Sequence, residues 1–297
     1  MANLHRTVDN LALCYSLEFM LLSEINRPTN ADLEWWKYDK FKLETLNNDE
    51  CNAYFRFFKE DIHHLKDVFH IPDQVKCRNN SKIEGIEAFC IMLQQYAYPC
   101  RYIDVIKTFA RPVPQLCLIT GQMTNHIYNM FGRLLTDLDQ PWLSPVNLEK
   151  YTQAVFEKGA PLINCWGFID GTVRPVCRPQ ENQQVLFDGH KRLHSIKFQS
   201  LVAANGMIAN MHGPIEGRRH DSFMLRESGL LDQLEQMSVD TNNEIMCIYG
   251  DPAYPIRPQL QAPFKGNLSP IEPDYNMAMS EMHVSVEWLF ADILNFF

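Results

Sequence analysis

Two short apolar runs in the second half of the chain, each ending in an aspartate, restrict the fold more than any other feature of the sequence. CWGFID ends at Asp170 and EIMCIYGD ends at Asp251. Runs of this length and composition are typical of buried strands. Directly after the first run, we expect Gly171 and Thr172 to turn the chain. The pattern therefore predicts an α/β domain in which both aspartates lie at strand ends.

The rest of the chain after about residue 160 mixes strand-like and helical patterns. SIKFQSLVAAN and MIANMHGPI are strand-like runs joined by Asn205-Gly206, which is a hairpin signal. DSFMLRESGLLDQL is helical, and SEMHVSVEWLFADILNFF carries an apolar helical stripe. The predicted order is strand, hairpin pair, helix, strand, loop and helix.

Residues from about 51 to 155 have helical spacing. YFRFFKEDIHHLKDVF carries one amphipathic stripe from Phe55 to Phe69. Three short helices with tight connections, within 83–135, fit either a helix-turn-helix or a small bundle that only packs. The last of them, at about 114–138, carries few basic residues, which favours the bundle. We therefore predict an all-α N-terminal region over 1–155 and a second domain over 160–297.

Charge and cysteine usage narrow the class of protein. The nine cysteines contain no C-x-x-C pair, which argues against a zinc site or a disulfide framework and fits a reducing compartment. No apolar run is long enough to span a membrane. The net charge of -9 counts against a nucleic-acid binder. From Arg174 to Arg219, however, seven Lys or Arg face three acids, a local charge of +4 that suits a phosphate-binding patch or an ordinary solvated face.

Carboxylates in this arrangement point to a metal site. Adjacent strands lie about 4.8 Å apart, so Asp170 and Asp251 can share an ion if their strands are neighbours. Glu287 lies in the apolar turn VSVEWLF, where a charge is seldom buried without a partner; the alternative is that it faces water. Three such carboxylates repel one another unless a cation joins them. Hard oxygen ligands suit Mg²⁺ or Mn²⁺, and two ions suit in-line phosphoryl displacement.

Five ordered segments carry a resemblance to a known family. GFIDGTVRPVCRP, GHKRLHSIKFQS, EGRRHDSFMLRESGLL, YGDPAYP and VSVEWLF resemble the DDE core of Harbinger-type transposases and of the host nucleases derived from them. The resemblance is strong over about 160–297 and weaker from about 55. It implies a ribonuclease H-like mixed sheet with flanking helices. It carries the catalytic, metal-binding triad onto Asp170, Asp251 and Glu287, and the 35 residues between the last two (287 − 251 − 1) suit a DDE enzyme.

The resemblance also assigns roles around the triad. Asp221 matches a fourth acid of the family, which we expect to be a helix cap or a group that supports the metal site, in preference to a direct ligand. His220 would support Asp221. The predicted contacts to DNA phosphates, each of which is alternatively a plain surface charge, are Lys191, Lys197, Arg218 and Arg219.

What the resemblance implies is a DNA endonuclease or transposase-like enzyme that uses two Mg²⁺ or Mn²⁺ ions. It also implies nuclear action and a Myb-like DNA-binding partner protein. Cysteine usage leaves the cytoplasm as a second location, the lack of a long apolar run predicts no membrane contact, and the sequence leaves an oligomer open. The alternative is an inactive transposase-derived protein that binds DNA or a protein. The acidic net charge favours it, as does the end of the chain ten residues after Glu287 (297 − 287), where the family's closing helix normally continues. We therefore expect a C-terminally truncated domain. The intact triad favours the enzyme.

Overall fold

The structure, a computed structural model, describes residues 34–181 and 183–296, and the side chains of 285–287 and 291–296 lie outside that description. Contacts divide the chain into two compact units between Thr124 and Asn125. The helices are α1 (Asn48–Phe55), α2 (Lys59–Val68), α3 (Gly85–Ala97), α4 (Ile106–Phe109), α5 (Val113–Phe131), α6 (Pro145–Glu157), α7 (Gln183–Leu186), α8 (Asp221–Glu227), α9 (Leu230–Met237) and α10 (Glu272–Phe296). The strands are β1 (Gln74–Lys76), β2 (Lys82–Glu84), β3 (Cys165–Pro175), β4 (Phe187–Asp188), β5 (Leu193–Ala203), β6 (Ile208–Glu216), β7 (Cys247–Gly250) and β8 (Leu260–Gln261). Short 3₁₀ turns occupy Trp35–Lys37, Leu43–Thr45, Gly132–Leu135 and Pro141–Leu143.

The first unit is mainly helical but not all-α, so that part of the prediction is wrong. β1 and β2 form an antiparallel hairpin in which Val75 pairs with Ile83. Both side chains are buried and their neighbours along each strand are exposed. Strands of three residues are too short for period-2 alternation to be recognised in a sequence.

The predicted stripe from Phe55 to Phe69 is two helices and not one. α1 begins at the capping box formed by Asn47 and Glu50 and ends at Phe55, because Arg56 has a left-handed backbone with φ 65°. α2 then buries Ile62, which is 0% exposed. Phe58, one of the residues of the predicted stripe, lies in the break and is 50% exposed.

Three helices occupy the segment in which a helix-turn-helix was considered. These are α3, the single turn α4, and α5. α5 carries no Lys or Arg in its nineteen residues. DNA binding by this segment stays a prediction, and nothing in α5 itself attracts phosphate.

The second unit is built on a mixed sheet of six strands. Its order is β4-β5-β3-β7-β8, and β6 pairs with β5. β3 is antiparallel to β5 and parallel to β7, and β7 is parallel to β8. This mixed sheet with flanking helices matches the predicted architecture and is compatible with a ribonuclease H-like fold.

Both faces of the sheet are covered by apolar packing. Ile169 and Leu201 belong to one core, which includes Leu225 of α8 and Leu234 of α9. Phe168 and Val202, one residue away on the same strands, belong to a second core that includes Met279 and Phe290 of α10. Because consecutive strand residues point to opposite faces, the sheet is enclosed between α8–α9 and α10.

The turn expected at Gly171-Thr172 is absent, and β3 runs on to Pro175. β5 pairs with β3 from Gly167 opposite Ala203 to Pro175 opposite Ser195, so the strand has a partner along this whole length. The prediction failed because local turn preference was outweighed by pairing with a long neighbour.

The hairpin predicted at Asn205-Gly206 is confirmed by the β5–β6 pair. Gly206 has φ 81°, and its N–H donates to the carbonyl of Ala203. The helix predicted from 221 is interrupted at Gly229, which has φ 64° and separates α8 from α9. Within the described ranges, none of the helices combines the length and the apolarity that crossing a membrane requires.

Candidate active site

Asp170 and Asp251 are brought together by the parallel register of β3 and β7. The last paired residues of these strands are Ile169 and Gly250, and each aspartate is the next residue of its chain. Neighbouring strands lie about 4.8 Å apart, so the two carboxylates start from adjacent backbone positions. Gly250 permits this approach, because a Cβ there would lie 2.7 Å from the Ile169 side chain.

Backbone N–H groups that follow each aspartate hold its carboxylate in place. The N–H of Gly171 donates to Oδ1 of Asp170 at 2.7 Å. The N–H of Ala253 donates to Oδ1 of Asp251 at 3.0 Å, which closes a tight turn at the start of the loop after β7. Both aspartates are half-buried.

Asp170 opens into a cleft of about 350 Å³. The cleft is lined by Asp170, Gly171, Thr172, Val173, Pro175, Lys191, Leu193 and Phe290. It therefore combines one predicted metal ligand with Lys191, one of the predicted phosphate contacts. Since Lys191 is exposed, its ammonium is accessible to an anion in solution.

The helix that carries Glu287 packs beside this cleft. The Nε2 of His283 donates a hydrogen bond of 3.0 Å to the carbonyl oxygen of Ile169, the residue before Asp170. Phe290, seven residues after His283 on α10, lines the cleft. Positions 283, 287 and 290 follow i, i+4, i+7 spacing, so they share one face of α10. The side chain of Glu287 lies outside the described residues, and its role stays a prediction.

Asp221 lies on the other face of the sheet from Asp170. A Cβ on Gly171 would be 2.8 Å from Oδ1 of Asp221, so this carboxylate packs directly on the strand. Side chains alternate along β3, so Asp170 and Gly171 face opposite ways. Burial raises the pKa of Asp221, Lys197 opposes that rise, and Asp251 adds to it. This position favours a supporting role over direct metal ligation beside Asp170. The structure also makes His220 the N-cap, with Asp221 in the first turn of α8.

Tyr254 is a buried residue close enough to three of the acids to feel their charge. Burial raises the pKa of its phenol well above the ordinary value, and the charges of Asp221, Asp170 and Asp251 raise it further. All three carboxylates are therefore within electrostatic range of one buried ring. Apart from its place in YGDPAYP, nothing in the sequence singles out Tyr254.

Lys197 is committed to a buried ion pair. Its ammonium lies 3.5 Å from Asp188, and the two side chains are 14% and 6% exposed. It also donates to the carbonyl of Arg219 at 2.9 Å. This geometry favours a structural role over an open phosphate contact.

Asp188 was missed by the sequence reasoning. It accepts hydrogen bonds from the backbone N–H groups of His190 (2.9 Å) and Lys191 (3.1 Å). Burial would raise its pKa, but the N–H of Lys191 and the charge of Lys197 outweigh burial and lower it. Asp188 thus holds the loop that presents Lys191 to the cleft. The Asp-Gly pair at 188–189 was the signal, since Asp in a turn often bonds its own following backbone.

Arg218, Arg219 and His220 follow β6 in sequence. Arg218 and His220 are exposed, whereas Arg219 pairs with Glu216 at 3.2 Å. The guanidinium of Arg219 also lies 4.4 Å from the ring centroid of Phe223, which fixes its direction. Their contacts to DNA stay predictions.

The donor set suits a hard divalent cation, although it is incomplete among the described side chains. Asp170, in the middle of β3, and Asp251, just after β7, supply oxygen ligands from adjacent backbone positions, and Mg²⁺ prefers oxygen ligands. No group of three or more His, Cys, Asp or Glu side chains forms a metal site within the part that the structure describes. The third predicted ligand, Glu287, is outside that part.

A comparison with known protein families gives one match. It confirms the predicted resemblance at the level of the DDE superfamily, and the Harbinger type stays a prediction. No curated protein and no solved structure matches the chain. The matched segment begins one residue before Asp170 and includes Asp251, Asp221 and Glu287. Residues 169–297 match the DDE superfamily endonuclease family, which indicates a nuclease or transposase-like function for this part of the chain.

Proposed function

We propose that this protein is a metal-dependent DNA endonuclease of the Harbinger transposase type, with Asp170, Asp251 and Glu287 as its metal ligands. The observation that carries the proposal is the parallel register of β3 and β7, in which the two aspartates follow the last paired residues. The match of 169–297 to DDE superfamily endonucleases supports the same reading. The proposed substrate is DNA.

Position 287 completes the proposed site through the packing of α10. Its neighbours on the same helix face are His283, which bonds the carbonyl before Asp170, and Phe290, which lines the cleft. A carboxylate at this position would add a third oxygen ligand to the two aspartates. Two divalent ions held there would stabilise the attacking and the leaving oxygen of phosphodiester hydrolysis.

Residues around the proposed metal site would bind the phosphate and keep the site's side chains in place. Lys191 shares the cleft with Asp170 and is exposed, so it would bind a phosphate of the strand being cut. Asp188 holds the backbone of Lys191, and Lys197 holds Asp188. Asp221 packs against Gly171 and would keep Asp170 in place through the strand. Nuclear action and a Myb-like partner protein belong to the same proposal, by resemblance to Harbinger transposases.

The test measures cutting and metal binding separately. We expect the parent to nick supercoiled plasmid with Mg²⁺ or Mn²⁺, and Asp170→Asn to lose at least about a hundredfold in rate, because the metal contributes several kcal/mol to the transition state. Asp251→Asn and Glu287→Gln should behave alike. Asp232→Asn is the control, since it makes the same chemical change at an exposed position of α9.

Calorimetric titration with Mn²⁺ gives the second measurement. The parent should bind Mn²⁺ saturably, and the double variant Asp170→Asn/Asp251→Asn should not. Equal titration curves for the two proteins would remove the metal assignment. The chain would then be read as an inactive transposase-derived protein that binds DNA or a protein.

A further inference from the structure

The hairpin of the first unit carries an arrangement of charge that folding alone does not favour. Lys76 of β1 lies directly opposite Lys82 of β2 in the antiparallel register. Like charges in directly opposed positions destabilise a hairpin. Both lysines are exposed, and so is Arg78 in the connecting turn.

The outward direction of these cations is fixed by the core. Val75 and Ile83, which pair with each other, are 6% and 3% exposed, and Cys77 is 3% exposed. A one-residue change of register would bury the lysines, so the strands hold them outward. The turn is also ordered, since the N–H of Cys77 donates to the carbonyl of Ser81 and the N–H of Asn80 donates to that of Cys77.

The base of the hairpin is tied to α3. The N–H of Gly85, the first residue of that helix, donates to the carbonyl of Asp73 at 2.7 Å. A Cβ on Gly85 would lie 1.9 Å from the carbonyl oxygen of Pro72, so the backbones meet there without space for a side chain. The three cations are therefore presented from a fixed support.

These three cations differ from those exposed cations that an acidic neighbour holds. Lys37, Arg101 and Arg133 each pair with an acid three or four residues away. Within the ranges that the structure describes, Lys76, Arg78 and Lys82 form no ion pair. From Gln74 to Glu84 these three cations face one acid, Glu84, a local charge of +2 (3 − 1) in a chain of net charge -9.

We infer that this hairpin, residues 74–84, is a DNA-backbone contact that grips phosphates without reading sequence. Unpaired exposed cations on a rigid support are the means by which proteins bind the phosphate backbone. α5, the last helix of the segment 83–135, contains no Lys or Arg, so that helix supplies no positive charge for such a contact. The inference rests on the proposed function only in taking DNA as the polyanion, and it adds a second contact remote in sequence from Asp170.

The test compares two triple variants of the full chain. One is Lys76→Gln/Arg78→Gln/Lys82→Gln, and the control is Lys37→Gln/Arg101→Gln/Arg133→Gln, which makes the same net charge change at exposed cations that are already paired. Binding of a labelled 30-base-pair duplex is measured by fluorescence anisotropy in EDTA at several salt concentrations, so that cutting does not interfere.

Three lost phosphate contacts should reduce the salt slope, d log K/d log[salt], by about 2.7, at about 0.9 for each contact. Between 50 and 200 mM salt, the affinity advantage of the parent over the hairpin variant should therefore shrink by about 40-fold. The control should keep the parent's slope. The hairpin variant should also melt at the same temperature as the parent or higher, because the opposed lysines are gone.

Three results would overturn the inference: an unchanged slope in the hairpin variant, an equal loss in the control, or no binding of the duplex by the parent. The proposed function has a separate readout. A parent that cuts plasmid while the hairpin variant binds normally refutes the hairpin contact alone. A parent that binds through the hairpin but never cuts refutes the nuclease alone.

Discussion

Lys197→Met separates two roles that the sequence left open for this residue. As a phosphate contact, Lys197 would matter for DNA binding and little for stability. In the structure its ammonium is paired with Asp188, and both side chains are largely buried. Removing one member of a buried pair costs about 3–5 kcal/mol. Asp188 keeps its two backbone donors, so we take the lower figure, about 3 kcal/mol.

That cost converts into a measurable melting shift. The second unit has 173 residues (297 − 125 + 1). In proteins of this size 1 kcal/mol shifts the melting temperature by about 2–4 °C, so Lys197→Met should lower it by roughly 6–12 °C. The assay is thermal unfolding followed by circular dichroism. Lys191→Met is the matched control, because it removes the same charge from an exposed position of the adjacent loop.

The pH dependence gives a further check with a definite sign. The folded-state pKa of Asp188 lies below its ordinary value of 3.8. Such a carboxylate adds stability above its unfolded pKa, and that stability is lost as the pH falls through the folded pKa. The melting difference between parent and Lys197→Met should therefore be fully present at neutral pH and shrink below about pH 4.

The control variant, Lys191→Met, should differ from Lys197→Met by keeping its stability and losing part of its DNA affinity. Lys191→Met should leave the melting temperature within about 2 °C and reduce the salt slope of DNA affinity by about 0.9. If Lys197→Met behaves in this way instead, with little loss of stability and a lower slope, the structural account of Lys197 is refuted. The phosphate role expected from the sequence would then stand.

Three further outcomes are expected. Gly171→Ala should displace the Asp221 carboxylate, which lies 2.8 Å from the added Cβ, at a cost of about 1–3 kcal/mol seen in thermal melting; an unchanged melting temperature and unchanged cutting would contradict that close packing. Arg218→Ala, at an exposed position, should reduce the salt slope of DNA binding by about 0.9 without changing the cutting rate at saturating DNA, and a parental slope would argue against the phosphate contact. Mg²⁺ at about a hundred times its dissociation constant should stabilise the parent by about 2.7 kcal/mol, and this gain should be missing in Asp170→Asn/Asp251→Asn; an equal gain in both would mean that the ion binds elsewhere.

The sequence predicted the sheet well because its strands are long or strongly apolar. β3, β5, β6 and β7 coincide with the four apolar runs, and the hairpin at Asn205-Gly206 joins the expected pair. The sequence predicted that Asp170 and Asp251 lie close together only if their strands are neighbours, and the parallel pairing of β3 and β7 meets that condition. The expected end of the first strand was wrong, since the antiparallel partner continues beyond Asp170.

Contacts between distant residues explain what the sequence did not predict. Lys197 is one of several basic residues in its segment, and only the fold shows that Asp188 neutralises it. The side of the sheet on which Asp221 lies depends on where α8 packs, which local spacing does not specify. The hairpin at 74–84 is held by two apolar residues, Val75 and Ile83, and two positions are too few to give a periodic signal.

The strands that carry the two aspartates differ in how firmly they are held. β3 has long β5 on one side and β7 on the other, whereas β7 has four residues and its outer neighbour β8 has two. Short edge elements open by local fluctuation at a lower free energy than a central strand does. Amide hydrogens around Asp251 should therefore exchange with solvent sooner than those around Asp170. On heating, the two carboxylates would separate while most of the sheet is still intact, so the proposed metal site would be lost before global melting.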